Sequence, residues 1–455
     1  MKRILLRSGK DPFDVLSVEE SIERDVLGTN AGNLIFSNAS HKILSTPDTQ
    51  VDSNGLTVFP GLVEKINSEY DAFVVPLANA FRPSFAPALQ RLTRVVRQLK
   101  VPVVVLGVGA QANAEGDLAA LGPLEDSVRD FVSAVLDHGP SIGVRGEFTA
   151  DYLAGLGFRD VEVIGCPSMF FDGPVLQPVR PVGELSESSR IAVNGAHAAM
   201  RSLGLDRIIT RIHEQFPETT FIGQNTVEAA QLRWRDISSP AGAVKLMPTH
   251  PEHPMFGEGR ARVYVDPASW INDLRGFDVS IGARIHGSIA ALLAGTPALV
   301  LCGDSRTMEL CRYFEIPHRM LKSLPEDVDP VALIEEADWS PMATGHRDRF
   351  DRFAAYLDRH GLANTFAHGG GGAAFDDRMA SLDFPAGVQP SHLSDLEASR
   401  EHVAWLREQT RESRRQDQVR LSQELLDRLS PATGASPVRR AARRLARARQ
   451  RTDRD

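Results

Sequence analysis

FDVSIGARIHGSIAALLAGTPALVLCG, residues 277–303, decides how the rest of the chain is read. An apolar run ends in Gly-Ala-Arg-Ile-His-Gly, a small-residue segment is stopped by Gly295 before Pro297, and a second apolar run follows. Strand, turn, helix and strand in this order form one βαβ unit. Continuous apolar strands of this kind belong to a parallel sheet covered on both faces. Arg284 and His286 then stand where the helix begins, and there the unbonded N–H groups and the helix dipole favour an anion. Arg284 offers a planar fork suited to carboxylate or phosphate. His286 exchanges a proton near neutral pH. Gly282 and Gly287 would let a ligand approach the backbone closely. Either residue alone reads as a surface ion pair or a helix cap; both together, beside glycines at a strand end, read as an anion site.

The same alternation runs outward in both directions. Strand-like runs at 3–8, 72–78, 101–109, 141–146 and 161–165 are separated by helical patterns at 31–44, 87–100, 124–139 and 147–157. A Pro-, Gly- and Ser-rich stretch at 172–189 marks a boundary. Beyond it the pattern resumes at 190–195, 219–224 and 261–266, with helices near 203–215, 226–234, 267–275 and 305–314. The expected fold is therefore α/β, with two Rossmann-like domains, 1–175 and 176–330, and a cleft between them beyond the strands' carboxyl ends. A helical segment packing on the domains is expected at 331–368, a flexible linker around the glycines of 369–392, a charged helix at 393–430 and a basic, disordered tail at 431–455.

Composition narrows the function. The chain has 455 residues and a net charge of −8, which gives no general affinity for nucleic acid. Its three cysteines, Cys166, Cys302 and Cys311, form neither a disulfide framework nor a metal pair, in keeping with a reducing, cytoplasmic setting. The N-terminus is too short in apolar residues for a signal peptide, and no run is long enough to span a membrane. The arginines of the tail suit contact with an anionic membrane face, and segment 393–430 suits self-association.

Two further stretches point into the cleft. Arg145, in GVRGEFTADYLAGLG, repeats the arrangement of arginine, glycine and helix at a strand end, or else pairs with Glu147 or Asp151. Asn30 and Asn33, in GTNAGN, suit either a polar ligand or a turn and helix cap. Gly109, closing the run 101–109, counts among the substrate contacts.

Taken in order, GTNAGN, VVVLGVGAQ, IGVRGEFTADYLAGLG with VEVIGCPSMFF, and DVSIGARIHGSIAALLAGTPALVLCGDSR resemble the polysaccharide pyruvyl transferase family over roughly residues 1–330. The resemblance implies a GT-B-like pair of domains and transfer of a pyruvyl group from phosphoenolpyruvate to a sugar, forming a cyclic ketal and releasing phosphate. It implies no metal and no cofactor. Arg145 and Arg284 would hold the donor, and His286 would supply the proton. The loop around Asn30 would line the cleft, and the backbone of Gly287 and Ser288 would meet the phosphate. Family members carry Asp where Asn33 stands.

Other readings of the same residues remain. A nucleotide-sugar glycosyltransferase shares the architecture, and a non-catalytic glycan-binding or scaffold protein could keep the fold. GVGAQA (107–112) matches a dinucleotide fingerprint, but no helix is expected to open directly on its glycines. Asp327 and Asp329 read as a turn, and His250 and His253 lack zinc spacing.

Overall fold

The computed structural model describes residues 1–391 except 29, 57, 60, 113–115 and 369–370, together with 403 and 405. Residues up to 392 form one compact unit. The charged segment 393–430, apart from Val403 and Trp405, and the tail 431–455 lie outside the described residues.

Among the described residues, twelve strands build two large parallel sheets, the first of them extended by a parallel pair. In the first half β1 (Lys2–Leu6), β2 (Thr49–Ser53), β3 (Ala72–Pro76) and β4 (Val103–Leu106) lie in the order β2-β1-β3-β4. A bridge from Val108 to Val144 continues this sheet to β5 (Ile142–Val144) and β6 (Val161–Val163). The second sheet contains β7 (Ile191–Asn194), β8 (Thr220–Gly223), β9 (Ala261–Val263), β10 (Val279–Gly282), β11 (Ala298–Cys302) and β12 (His318–Met320), in the order β12-β11-β10-β7-β8-β9. All pairings within the sheets are parallel. Central strands such as β3, β4 and β11 are buried along their whole length, which is why they read as unbroken apolar runs.

The two-Rossmann reading is correct, with two strands added. β2, TQVDS, is a half-exposed edge strand whose polar residues gave no apolar signal. β12 is three residues long and also half-buried at an edge. In each sheet the strand order reverses once, between β1 and β3 in the first and between β7 and β10 in the second. Ligands of doubly wound sheets bind at such switch points.

After β12 the chain returns to the first half. Trp339 donates to the Ala298 carbonyl of the second sheet at 2.9 Å. Further along the helix Ser340–Arg359, the Tyr356 hydroxyl donates to Val105 at 2.8 Å and accepts from the Gly143 amide at 3.0 Å. Phe353 is fully buried, 5.0 Å from the Phe170 ring. Phe353→Ala is expected to cost about 3–5 kcal/mol, read as a lower urea midpoint at unchanged slope.

The expectation of a flexible linker at 369–392 is corrected. A helix, Ala373–Ala380, starts at Gly372 with φ +79°, and Phe375 is buried against Phe13, His41 and Phe171. Lys42, itself buried, pairs with Asp376 at 2.8 Å, and Val388 bridges antiparallel to Val263 at the edge of the second sheet. The glycines suggested a break; one apolar residue and one ion pair, supplied by distant partners, anchor the segment instead.

Candidate active site

The second half supplies one wall. At its switch point the Asn194 carbonyl accepts from the Ala283 amide (3.1 Å), and its side-chain Oδ1 accepts from the Arg284 amide (2.8 Å). This fixes the turn between β10 and the helix Ile285–Leu293, with Arg284 as N-cap. The Arg284 guanidinium donates through Nε to the Gly195 carbonyl (2.8 Å), and Nη2 lies 3.7 Å from Glu228 Oε1. Glu228 is fully buried and accepts from the amides of Gln224 (2.5 Å) and Asn225 (3.2 Å). A fixed carboxylate behind a fixed guanidinium leaves Arg284 little rotamer freedom to lose when a ligand arrives.

The first half supplies the other wall. Arg145 follows β5, is buried, and donates through Nε to the Gly107 carbonyl at 2.8 Å, not to Glu147 or Asp151. Its Nη2 lies 4.0 Å from Cys166 Sγ. His286 Nε2 lies 3.6 Å from the same sulfur, and the Phe36 ring is 5.6 Å from the imidazole. Gly32 opens the helix Gly32–Leu44 so close to His286 that a Cβ there would sit 2.4 Å from the histidine Cβ. The halves also meet through the Ala31 amide, which donates to the Gln224 carbonyl at 2.6 Å.

Between these walls lies a cavity of about 490 Å³, within the ~300–1,000 Å³ range of small-molecule sites. Arg145, Arg284, His286, Asn30 and Asn33 all line it, so residues far apart in sequence share one site. Three arginines that the motifs did not single out join them: Arg7, Arg82 and Arg306. Asp25 is the acidic residue among the described residues of the lining. Arg7 leaves β1 at the first switch point. Its guanidinium has no hydrogen-bond or ion-pair partner among the described residues, and burial pushes its pKa down to about 10. A desolvated, unpaired cation is costly, and an anionic ligand would relieve that cost. Arg306 follows β11 in CGDSR, held by Asp304 at 3.1 Å. It repeats the placement of Arg145 and Arg284 just past a strand end, a signal that was legible. Nothing local marks Arg82.

The charge pattern sets the protonation of the histidine. Burial, then the guanidiniums of Arg145 and Arg306, hold the His286 imidazole well below its usual range, so it is neutral near pH 7. Negative charge brought beside it would offset the two guanidiniums and favour its protonation. Glu309 is the converse case. Burial pushes it up to about 7, while it accepts from the Thr149 amide (3.1 Å) and hydroxyl (3.0 Å) across the two halves.

Four expected substrate contacts are corrected. Gly109, Gly282, Gly287 and Ser288 do not line the cavity. A Cβ at Gly109 would meet Arg145 and Glu309 at 3.0 Å, one at Gly282 the Asn194 carbonyl at 2.3 Å, and one at Gly287 the Gln224 amide at 2.4 Å. These glycines admit neighbouring protein, not ligand. Ser288 is fully buried. Asn30 and Asn33 combine both of their readings. Asn30 Oδ1 accepts from the Gly32 amide (2.8 Å), and Asn33 Nδ2 donates to the carbonyls of Leu27 (3.0 Å) and Gly28 (2.8 Å) while facing the cavity. A carboxylate at 33 could make neither of those donations, which gives the departure from the family's Asp a structural reason. The glycines of 107–112 open no helix among the described residues: the next helical segments are Leu118–Leu124 and Glu125–Leu136. Among the described residues, no group of three or more His, Cys, Asp or Glu side chains is placed to hold a metal, and no helix is long and apolar enough to cross a membrane.

The two Rossmann-type halves thus open, at their switch points, on one arginine-lined cavity. Residues 79–304 match the family model for polysaccharide pyruvyl transferase. None of the curated proteins compared with the chain matches it. Among solved structures, the chain is similar to a UDP-GlcNAc 2-epimerase from Neisseria meningitidis bound to UDP-GlcNAc. Identity is 10%, coverage is 84% of this chain and 100% of that one, and the TM-score is 0.38. It is also similar to the glycosyltransferase SnogD from Streptomyces nogalater, at 13% identity, 79% and 98% coverage and a TM-score of 0.36. At these scores neither likeness carries an argument about this chain, and the fold assignment rests on strand order.

Proposed function

We propose that the cavity binds phosphoenolpyruvate and transfers its pyruvyl group to two hydroxyls of a sugar, in a surface polysaccharide or its precursor, forming a cyclic ketal and releasing phosphate. The observation that carries this reading is the convergence of Arg7, Arg82, Arg145, Arg284 and Arg306 on one cavity whose described lining holds one acidic side chain, Asp25, in a chain whose residues 79–304 match the pyruvyl transferase family model. Phosphoenolpyruvate carries a phosphate and a carboxylate, and planar guanidiniums on opposite walls can grip both.

The reaction asks for three things. The methylene carbon must gain a proton, the carbon bearing the phosphate must accept a hydroxyl oxygen, and the phosphate must leave as an anion. Arg145 and Arg306, beside His286, stabilise negative charge on the departing phosphate. The donor's own negative charge raises the basicity of His286, so the imidazole becomes an acid only in the loaded site. It then protonates the methylene carbon and takes the proton of the attacking hydroxyl. The second hydroxyl closes the ring as phosphate leaves with the remaining proton. Asn30 and Asn33 offer polar contacts for the sugar.

Calorimetric titration tests the donor. Phosphoenolpyruvate is expected to bind the wild type with a measurable heat. Arg284→Ala is expected to weaken binding about 10- to 100-fold, the loss of one charged hydrogen-bond pair of ~1.5–3 kcal/mol. A donor that binds both proteins equally would remove it from this cavity.

A further inference from the structure

Cys166 stands between the two walls without lining the cavity. Its sulfur is 3.6 Å from His286 Nε2, 4.0 Å from Arg145 Nη2 and 3.1 Å from the Ser168 hydroxyl, and all four residues are buried. Ser168 donates to the sulfur and Arg145 can only donate, so the thiol proton has one acceptor in this cluster, His286 Nε2. Accepting that proton would engage Nε2 on a residue behind the wall and leave the ring's own proton on Nδ1, beside Gly32.

We propose that Cys166 is a positioning and proton-relay residue that acts through His286. The S–H···Nε2 contact fixes the imidazole in the tautomer with its proton on Nδ1. It also answers how a neutral, deeply buried histidine becomes an acid. When the donor's charge enters the cavity, the S–H bond breaks, sulfur keeps its electron pair, and Nε2 gains the proton. The sulfur anion lies against the Arg145 guanidinium and the Ser168 hydroxyl. The imidazolium gives its Nδ1 proton to the methylene carbon, whose π pair forms the new C–H bond. The attacking hydroxyl then returns a proton to Nδ1, and Nε2–H passes back to sulfur. The net change is one proton moved from hydroxyl to carbon, with no oxidant or reductant needed. The relay rests on the proposed pyruvyl transfer; the tautomer does not.

The test uses the full chain as wild type, Cys166→Ala and Cys166→Ser. Two-bond nitrogen–proton NMR on histidine-labelled protein, with His286→Gln giving the assignment, reads the tautomer in the free state. The wild type is expected to show protonated Nδ1 and bare Nε2, and Cys166→Ala a mixed or reversed tautomer. In turnover, Cys166→Ala is expected to lower kcat by as much as about 10²-fold, the scale of a misplaced catalytic group. KM for phosphoenolpyruvate should stay within threefold, the acidic limb of the pH–kcat profile should move, and Cys166→Ser, which keeps a donor, should recover part of the rate. A proton on Nε2 in the wild type overturns the proposal. So does an unchanged kcat and pH profile in Cys166→Ala, or a loss carried by KM alone. If the wild type transfers no pyruvyl group, the relay falls with that reaction, and the tautomer measurement still decides the positioning role.

Discussion

Exchange of His286 for glutamine is expected to lower kcat by roughly 10²–10⁴-fold, the usual contribution of a positioned acid–base group, while phosphoenolpyruvate still binds. Glutamine fills most of the imidazole's space beside Phe36 and Gly32, where a smaller residue would leave a void and a larger one would clash. It has no proton to exchange near neutral pH. The comparison to make is kcat against donor affinity in the same preparation. A fall in affinity with unchanged kcat would reassign His286 to binding. Stability carries a second signature with a definite sign. The folded state holds His286 well below 6.5, so as pH falls through the unfolded value the unfolded chain takes up a proton that the folded chain refuses, and stability falls. His286→Gln should therefore lose less stability than wild type between pH 7.5 and pH 5, measured by urea midpoints.

Arg145→Lys is expected to cost about 10²–10³-fold in kcat/KM, close to the loss of an oxyanion donor, although the charge is kept. The guanidinium spends Nε on the Gly107 carbonyl and turns its remaining fork toward Cys166 and the cavity. An ammonium is a point charge on a flexible stem and cannot hold both directions at once. Gly109 and Gly146 pack around this position and around Glu309, so the backbone leaves a lysine no alternative seat. Arg145→Lys with a third or more of wild-type kcat/KM would show that charge alone suffices. Circular dichroism on the same sample separates this from a loss of the fold.

What the chain announces locally and what it does not can be followed residue by residue. Arg284 and His286 were visible because a strand, a glycine turn and a helix follow one another within a dozen residues, and Arg145 repeats the pattern. Arg306 carries the same signature and was legible in principle. Arg7, Arg82 and Cys166 were not, because nothing beside them in sequence distinguishes them. Arg7 follows an ordinary strand, and Cys166 matters only because His286, 120 residues further on, brings Nε2 to its sulfur. The glycines went the other way. Beside a motif they suggested room for a ligand, and the space is filled by Asn194, Gln224 and Glu309, side chains from other elements.

Apolar runs, glycine stops and helical periodicity are local properties of the chain, and they suffice for the α/β class, the two halves and the helix N-terminus carrying Arg284 and His286. Tertiary structure alone decided that both switch points open on one cavity, that five arginines share it, that His286 is neutral before a ligand arrives, and that segment 373–388 is anchored. Burial and Coulomb interaction depend on distances through space, and no spacing along the chain encodes those until the two sheets have met.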